Sequence, residues 1–464
     1  MLPETRQARA AVEIARRLRR TGFESLLAGG CVRDLLLGRE PKDYDVATAA
    51  EPERVMEVFP RSFGVGAHFG VVLVETEQEG ERVLTEVATF RRDGVYSDGR
   101  RPDAVRYTSS AAEDAARRDF TINGLLLDPE RALKDGDIRD AVLDFVYGLE
   151  DLQARRIRAI GAPENRFAED HLRLLRGVRF AARLGFAIEE QTLAAMLAMA
   201  PALGRVSWER IRDELTRMLT EGRARRAFEL LAETGMLSVV LPEVERMRGV
   251  EQPPEFHPEG DVWEHTLRLL AQLEPGCSAT LAWGALLHDV GKPTSFRRAP
   301  DRIRFDGHVE VGVRIAAEIA RRLRFSNDDG AQIAALVANH MRFGDVMRMK
   351  DSTLKRFFRL ERFAEHLALH RMDCSASHGK LDNWEYAKRR WDVTPEETIR
   401  PARMVTGRDL IAAGFSPGPQ FTEVLRIVED AQMDGAVATR EEALALALRE
   451  MQKTHTMHAD ENDG

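Results

Sequence analysis

The sequence predicts an α+β protein, with strands gathered near the N-terminus and helices beyond them. Three observations carry this reading. First, β-branched, alternating runs occur at 71–74 and 83–90, inside a stretch (25–150) where strand and helix patterns alternate. Second, from about residue 151 apolar residues recur at helical spacing. Third, the composition is that of a folded protein: 464 residues, 44% apolar and 31% charged. That length gives ample core for roughly two to four domains.

Taken in order, residues 5–20 read as an arginine-rich amphipathic helix without the apolar core of a secretory signal. After the mixed region, helical spacing runs through 168–184, 190–200, 207–219 and 222–235. Pro253-Pro254 and Phe256-His257-Pro258-Glu259-Gly260 read as a linker. Residues 261–400 are helical again and rich in histidine, and Gly414-Phe415-Ser416-Pro417-Gly418-Pro419 marks a further break. The expected domains are 1–150, 151–250, 255–400 and a helical segment 401–452, with an unstructured polar tail over 453–464. There is no repeat of fixed period.

No apolar run is long enough for a membrane span, so no membrane partner is expected. Three widely spaced cysteines, Cys31, Cys277 and Cys374, argue against a disulfide framework and for a reducing, cytoplasmic setting. The net charge of −8 disfavours a general nucleic-acid binder. Residues 151–230 nevertheless hold 15 Arg and no Lys against 11 acids, a local +4 that leaves −12 for the rest. That balance suits a limited RNA footprint, and equally a solvated helical surface.

The densest chemistry is Gly29-Gly30-Cys31-Val32-Arg33-Asp34 followed by Asp43-Tyr44-Asp45. Glycines let backbone N–H groups approach phosphate oxygens. On a strand, residues 43 and 45 face the same way, and paired carboxylates suit Mg²⁺, which prefers oxygen ligands shared with substrate phosphates. A second cluster, Arg117-Arg118-Asp119-Phe120-Thr121-Ile122-Asn123-Gly124, adds arginine forks that match phosphate. Glu86 sits on the 83–90 strand among apolar neighbours, and reads either as a third metal-site carboxylate or as a rim acid. Asp170, Arg173, Arg176 and Arg179 recur at i, i+3 and share one face of a continuous helix.

These motifs together resemble the class II tRNA nucleotidyltransferases, the CCA-adding and poly(A) polymerase family of the polymerase β superfamily. Three more signatures extend the likeness over about two hundred residues: Asp144-x-x-x-Gly148-x-x-Asp151-Leu152, Glu169-Asp170-x-x-Arg173-x-x-Arg176-x-x-Arg179-Phe180, and Ser207-x-Glu209-Arg210-Ile211-x-x-Glu214-Leu215. The resemblance implies a polymerase β-like head, a mixed sheet with helices, followed by an all-helical neck and body. It implies that Asp43 and Asp45 hold catalytic Mg²⁺, and that Gly29, Gly30, Arg33, Arg117 and Arg118 contact a triphosphate. Asp119, Asn123, Arg176 and Arg179 belong to the same nucleotide-binding set, and Asp170 with Arg173 forms a protein template that reads C or A. The implied partners are tRNA, ATP and CTP. A polar loop over 91–102 matches one that accompanies addition of the terminal A. The stretch 61–70 resembles the tRNA type rather than the poly(A) type. Gly124 and Gly177 stand where the family usually has Ala.

A second candidate centre combines His265, His288-Asp289, His308, His340 and Asp373. The run Leu286-Leu287-His288-Asp289-Val290-Gly291-Lys292 resembles the HD phosphohydrolases, so a helical HD domain is expected. Mixed His and Asp ligands suit Mn²⁺, Ni²⁺, Fe²⁺ or Mg²⁺ rather than a closed zinc site. His257, His366, His370 and His378 are left as surface or supporting residues. By resemblance, such a module removes phosphate or opens a 2′,3′-cyclic phosphate at a damaged tRNA end. The function expected is therefore addition of CCA, at least the terminal A, to tRNA, with HD-domain repair. The alternatives are an A-adding enzyme or poly(A) polymerase and, from other classes, an HD phosphohydrolase with an RNA-binding head or a non-enzymatic tRNA-binding factor.

Overall fold

The computed structural model describes residues 2–64, 70–93, 105–134, 138–255 and 257–460. The chain forms two compact units. The first comprises Met1–Glu245, Leu273–Gly276 and Arg322–Arg324, and the second Arg246–Gln272, Cys277–Arg321 and Phe325–Gly464.

The first unit carries β1 (Ser25–Ala28), β2 (Asp45–Thr48), β3 (Ser62–Phe63), β4 (Val71–Gln78), β5 (Glu81–Thr89), β6 (Arg91–Asp93), β7 (Val105–Tyr107), β8 (Leu126–Leu127) and β9 (Val142–Leu143). Seven of these make one mixed sheet in the order β3-β4-β5-β2-β1-β8-β9, and β6 pairs with β7 separately. β2 and β5 run parallel, while β1–β2 and β4–β5 are antiparallel. The helix Arg6–Arg20 buries Ala8, Ala11, Val12, Ala15 and Leu18 and packs on β1, β2 and β5. Leu26, Ala28, Ala47, Phe90, Ala115 and Leu126 form a core cluster on the sheet.

The register decides what the sheet presents. Ala28 pairs with Asp45 and also with Leu126, so the glycine turn after Ala28 lies beside the first residue of β2. The Gly29 N–H donates to the Leu125 carbonyl at 3.0 Å, which brings the 117–124 cluster to the same edge. Val46 pairs with Val87, so one step back along these parallel strands Asp45 neighbours Glu86.

Helices follow the sheet. Pro163–Glu169 and Leu172–Leu184 are separate helices, because Asp170 has extended backbone (φ −149°) at the junction. The continuous helix expected over 168–184, with Asp170 on its face, is therefore broken at 170–171. A polar residue that bonds the Leu172 N–H (3.1 Å) competes with helical pairing there. Leu172–Leu184 packs against Trp208–Thr220 and Ala224–Glu233.

The second unit is helical. Ala279–Leu287 packs against Val262–Leu270, Asn327–Asn339 and Phe363–Ala376. Val405, Leu410, Phe421, Val424, Val428 and Ala443 make a separate C-terminal core. The helix Arg440–Asp460 continues through residues expected to be an unstructured tail. His366 and His370, left as surface or supporting residues, are buried and so supporting, and His370 stacks on Phe343 with 4.4 Å between ring centroids. The segment expected as a linker is also anchored, since Glu259 within it and Gln252 just before it are buried.

Candidate active sites

The first unit opens a cavity of about 420 Å³ at the glycine turn. It is lined by seven arginines, Arg33, Arg117, Arg118, Arg173, Arg176, Arg179 and Arg183, and by three acids, Asp45, Asp119 and Asp170. An excess of guanidinium groups beside an open carboxylate suits a polyanion that arrives with a cation.

Each group has a structural reason for its place. Gly29 has φ +73° and begins the helix Gly30–Leu36, and a Cβ there would lie 2.7 Å from Arg118 Nη1. The positive φ is what favours glycine, since the guanidinium tip could move aside. Arg33 is buried and donates to Asp34 (2.8 Å) and Asn123 (2.6 Å). Asn123 in turn donates to Asp119 (3.0 Å), whose other oxygen accepts from Arg176 (2.8 Å). Burial pushes the Asp119 carboxyl up, but Arg176 and Asn123 outweigh it and hold the group well below the usual carboxylate range. Arg117 and Arg118 both lean on buried Asp114, at 2.8 and 3.1 Å.

Asp45, Asp43 and Glu86 converge electrostatically. Asp45 is exposed as a residue, yet the protein packed around its carboxyl is the largest cause of a pKa raised to about 6. Repulsion from Glu86 and Asp43 adds to that rise, and Arg118 opposes it. A carboxylate held above its ordinary value by like charges is one that a cation would relieve. Two details differ from expectation. The strand begins at Asp45, so Asp43 lies just before it. Glu86 is not among apolar core residues: Val83, Thr85, Val87 and Thr89 point inward, and Glu86 shares the open face with exposed Leu84.

The residues read as a template have other partners here. Asp170 takes a bidentate pair from Arg210, at 3.1 and 2.7 Å. Arg173 pairs with Glu169 and donates to the Arg166 carbonyl at 2.9 Å. Arg179 is buried against Glu214 at 2.6 Å. Arg183, Phe180 and Asp114 were not singled out as site residues. Phe180 and Arg183 lie four and seven residues beyond Arg176 on the same helix face, and Asp114 lies three and four residues before the arginines it holds. Helical spacing was the available signal. Of the loop 91–102, residues 94–102 lie outside the described residues, as do 65–69 of the stretch 61–70.

In the second unit all six expected residues meet. His265 Nε2 is 3.1 Å from Asp373 and 3.2 Å from His288 Nε2. Asp289 Oδ2 is 3.2 Å from His288 Nε2, and Asp289 Oδ1 lies 3.8 and 3.7 Å from the Nε2 atoms of His308 and His340. Two ligand triads result, His265–His288–Asp373 and Asp289–His308–His340. The Nδ1 atoms of His288, His308 and His340 bond the carbonyls of Ala285, Phe305 and Val337, at 2.9, 2.9 and 2.7 Å. Each ring thereby turns its Nε2 inward. The Nε2 atoms of His308 and His340 are buried without a hydrogen-bond partner, so the donor set fits a cation. Burial pushes Asp289 up, but Lys292 at 2.7 Å and His288 hold it well below the usual range. Gly291 makes the closure possible, since a Cβ there would sit 2.1 Å from the His308 carbonyl oxygen.

His257 and Glu259 belong to this neighbourhood although the sequence reading left His257 aside and passed over Glu259. Glu259 Oε1 lies 2.8 Å from His257 Nδ1 and 2.7 Å from His265 Nδ1. Burial raises the Glu259 carboxyl, but those two bonds outweigh it and bring it to about 2. For His265, burial works downward, yet Asp373 and Glu259 raise it to about 9.

Comparison with known proteins matches three family models along the chain: a poly A polymerase head domain over residues 25–158, a probable RNA and SrmB-binding site of polymerase A over 185–247, and an HD domain over 261–373. The head and HD families imply dependence on divalent metal. No helix among the described residues is long and apolar enough to cross a membrane. The chain is 32% identical over 448 residues to a CCA-adding enzyme of Levilactobacillus brevis, covering 96% of this chain and 98% of that protein. It is also 32% identical to one from Geobacillus kaustophilus, covering 96% and 97%. The crystal structure of the Bacillus stearothermophilus CCA-adding enzyme in complex with CTP aligns at a TM-score of 0.71 and 27% identity, covering 98% of this chain and all of that one. Relatives matched from end to end at this level leave one assignment: the chain belongs to the CCA-adding enzyme family.

Proposed function

We propose that this chain adds CCA, at least the terminal A, to tRNA 3′ ends from CTP and ATP. The observation that carries the reading is the single cavity in which Asp45, the glycine turn and seven arginines face one another. The tRNA 3′-hydroxyl attacks the α-phosphorus, and pyrophosphate leaves. Asp43 and Asp45, with Glu86 beside them, would hold Mg²⁺, which when bound would supply charge neutralisation and nucleophile activation. Gly29, Gly30, Arg33, Arg117 and Arg118 grip the triphosphate. Arg176 and Arg179, tied to Asp119 and Glu214, form a fixed cationic wall beside it.

Base choice follows from donor and acceptor patterns. C and A each carry an exocyclic amino donor where U and G carry a carbonyl acceptor. An ionised carboxylate only accepts, so Asp170 suits C and A and repels U and G. Its bidentate pair with Arg210 leaves carboxylate lone pairs for that amino group. Arg173 supplies the complementary donors, after exchanging Glu169 for the base. The test is to offer tRNAs ending before CCA, at C and at CC, with each nucleoside triphosphate separately. Ordered addition of C, C and A supports the reading. Addition of A alone, to tRNA ending in CC, makes it an A-adding enzyme, and untemplated A tails make it a poly(A) polymerase.

The clustered HD residues favour a second activity, hydrolysis of a phosphomonoester or 2′,3′-cyclic phosphate at a tRNA end. His265, His288, Asp289, His308, His340 and Asp373 would hold Mn²⁺, Ni²⁺, Fe²⁺ or Mg²⁺. Release of phosphate from a 3′-phosphorylated tRNA in each metal, against a metal-free control, tests this. The three free cysteines suit a cytoplasmic setting.

A further inference from the structure

We propose that Glu259 is the positioning residue of the HD centre, and that through it His257 becomes a recognition residue for a ribose hydroxyl of the substrate. This rests on the HD-site reading above. Neither residue belongs to the His-Asp signature, and both lie in what reads as linker sequence.

An ionised carboxylate cannot donate a hydrogen bond, so both rings on Glu259 Oε1 must donate their Nδ1–H. The Glu259 and His265 side chains have no exposed surface, and Glu259 Oε2 is buried without a partner. The one shared oxygen therefore carries the compensation for burying the carboxylate. Two tautomers follow. His265 turns Nε2 toward His288 and Asp373, as a metal ligand must. The neutral His257 ring then has an Nε2 that only accepts, and burial together with Lys292 favours that neutral form.

His257 lines a cavity of about 380 Å³ whose wall also holds Asp289, Lys292, His308, His340 and Asp373. The Lys292 Nζ is already engaged by Asp289 and Gln252, each at 2.7 Å. A neutral acceptor on this wall matches no phosphate oxygen, but it does match a hydroxyl hydrogen. On an RNA end carrying a 3′-phosphomonoester that donor is the ribose 2′-hydroxyl next to the phosphate; a 2′,3′-cyclic phosphate has no such hydroxyl, so the recognition applies to the monoester. The ligand class is thus a ribonucleoside phosphate rather than its deoxy counterpart.

The test uses the full chain with two probes, Mn²⁺ and a matched ligand pair, adenosine 3′-phosphate and 2′-deoxyadenosine 3′-phosphate. Glu259→Gln preserves shape and should weaken Mn²⁺ binding, measured by calorimetry, about tenfold, and Glu259→Ala should reach about 100-fold. Circular dichroism melting checks that each variant folds. The Mn²⁺-loaded wild type should prefer the ribose ligand, and His257→Phe should lose that preference while keeping wild-type Mn²⁺ affinity. Wild-type Mn²⁺ affinity in Glu259→Gln and Glu259→Ala would overturn the positioning role. No ribose preference in wild type, or a preference unchanged in His257→Phe, would overturn the recognition role. No Mn²⁺ binding by wild type would instead remove the HD-site reading itself, and this inference with it.

Discussion

Asp45 shows how function opposes stability at a single residue. Its pKa is raised to about 6, so the fold prefers the neutral acid. The sign follows from linkage. An acid whose folded pKa exceeds its unfolded value costs stability once pH rises above both, and costs nothing below both. Asp45→Asn should therefore raise the melting temperature of the metal-free protein at pH 7.5, with the gain shrinking as pH falls toward 5. The same variant should add no nucleotide at any Mg²⁺ concentration. Melting scans across pH and a primer-extension assay read the two effects. A neutral or lower melting temperature at pH 7.5 would mean that burial and the neighbouring carboxylates do not disfavour the Asp45 charge. Selection is a separable property. Asp170→Ala and Arg173→Ala should cut the preference for CTP over UTP by about tenfold or more, because unpaired buried polar groups make such discrimination steep. Arg210→Ala should do the same more weakly, since it frees the carboxylate without removing it. A lower rate with unchanged preference would make all three structural.

Between elements, close approach of backbone decides which residues meet. The helix beginning at His308 docks on the turn after Asp289 only because Gly291 has no side chain. The added methyl of Gly291→Ala would meet backbone at 2.1 and 2.6 Å, which cannot rotate away. It should cost about 1–3 kcal/mol and pull His308 off the site. Thermal melting and Mn²⁺ calorimetry check this, and unchanged Mn²⁺ affinity would show that His308 is not needed. Gly124 carries a related lesson. Val146 Cγ2 and Ile160 Cδ1 fill the space beside it, 2.6 and 3.2 Å from where a Cβ would be, next to the Asn123–Arg33 bond.

At the scale of the molecule, the two centres draw on different residues from different compact units. His288→Ala with Asp289→Ala should abolish metal-dependent phosphate release and leave addition to an intact 3′-hydroxyl within about twofold of wild type, because a site missing two ligands rarely keeps its metal. Parallel assays on 3′-phosphorylated and 3′-hydroxyl tRNA decide it, and joint loss would show that the activities are coupled. The sequence by itself named most of the residues that gather at both centres. Periodicity marked the helices and strands, and local motifs named Gly29, Asp45, Arg117, Arg176, His288 and Asp289, because each chemistry needs particular side chains at particular spacings. Tertiary structure alone decided the pairings. No spacing rule takes Arg210 to Asp170 across forty positions or brings Asp373 to His265. Periodicity carried the helix straight through Asp170, where a side-chain bond to backbone wins over propensity. Glu259 hid in a segment whose prolines and glycine read as linker, and was exposed only when burial left its carboxylate two imidazoles as partners. Short-range spacing is written into the chain, whereas partners far apart in sequence are chosen by which strands share a register and which helices can touch.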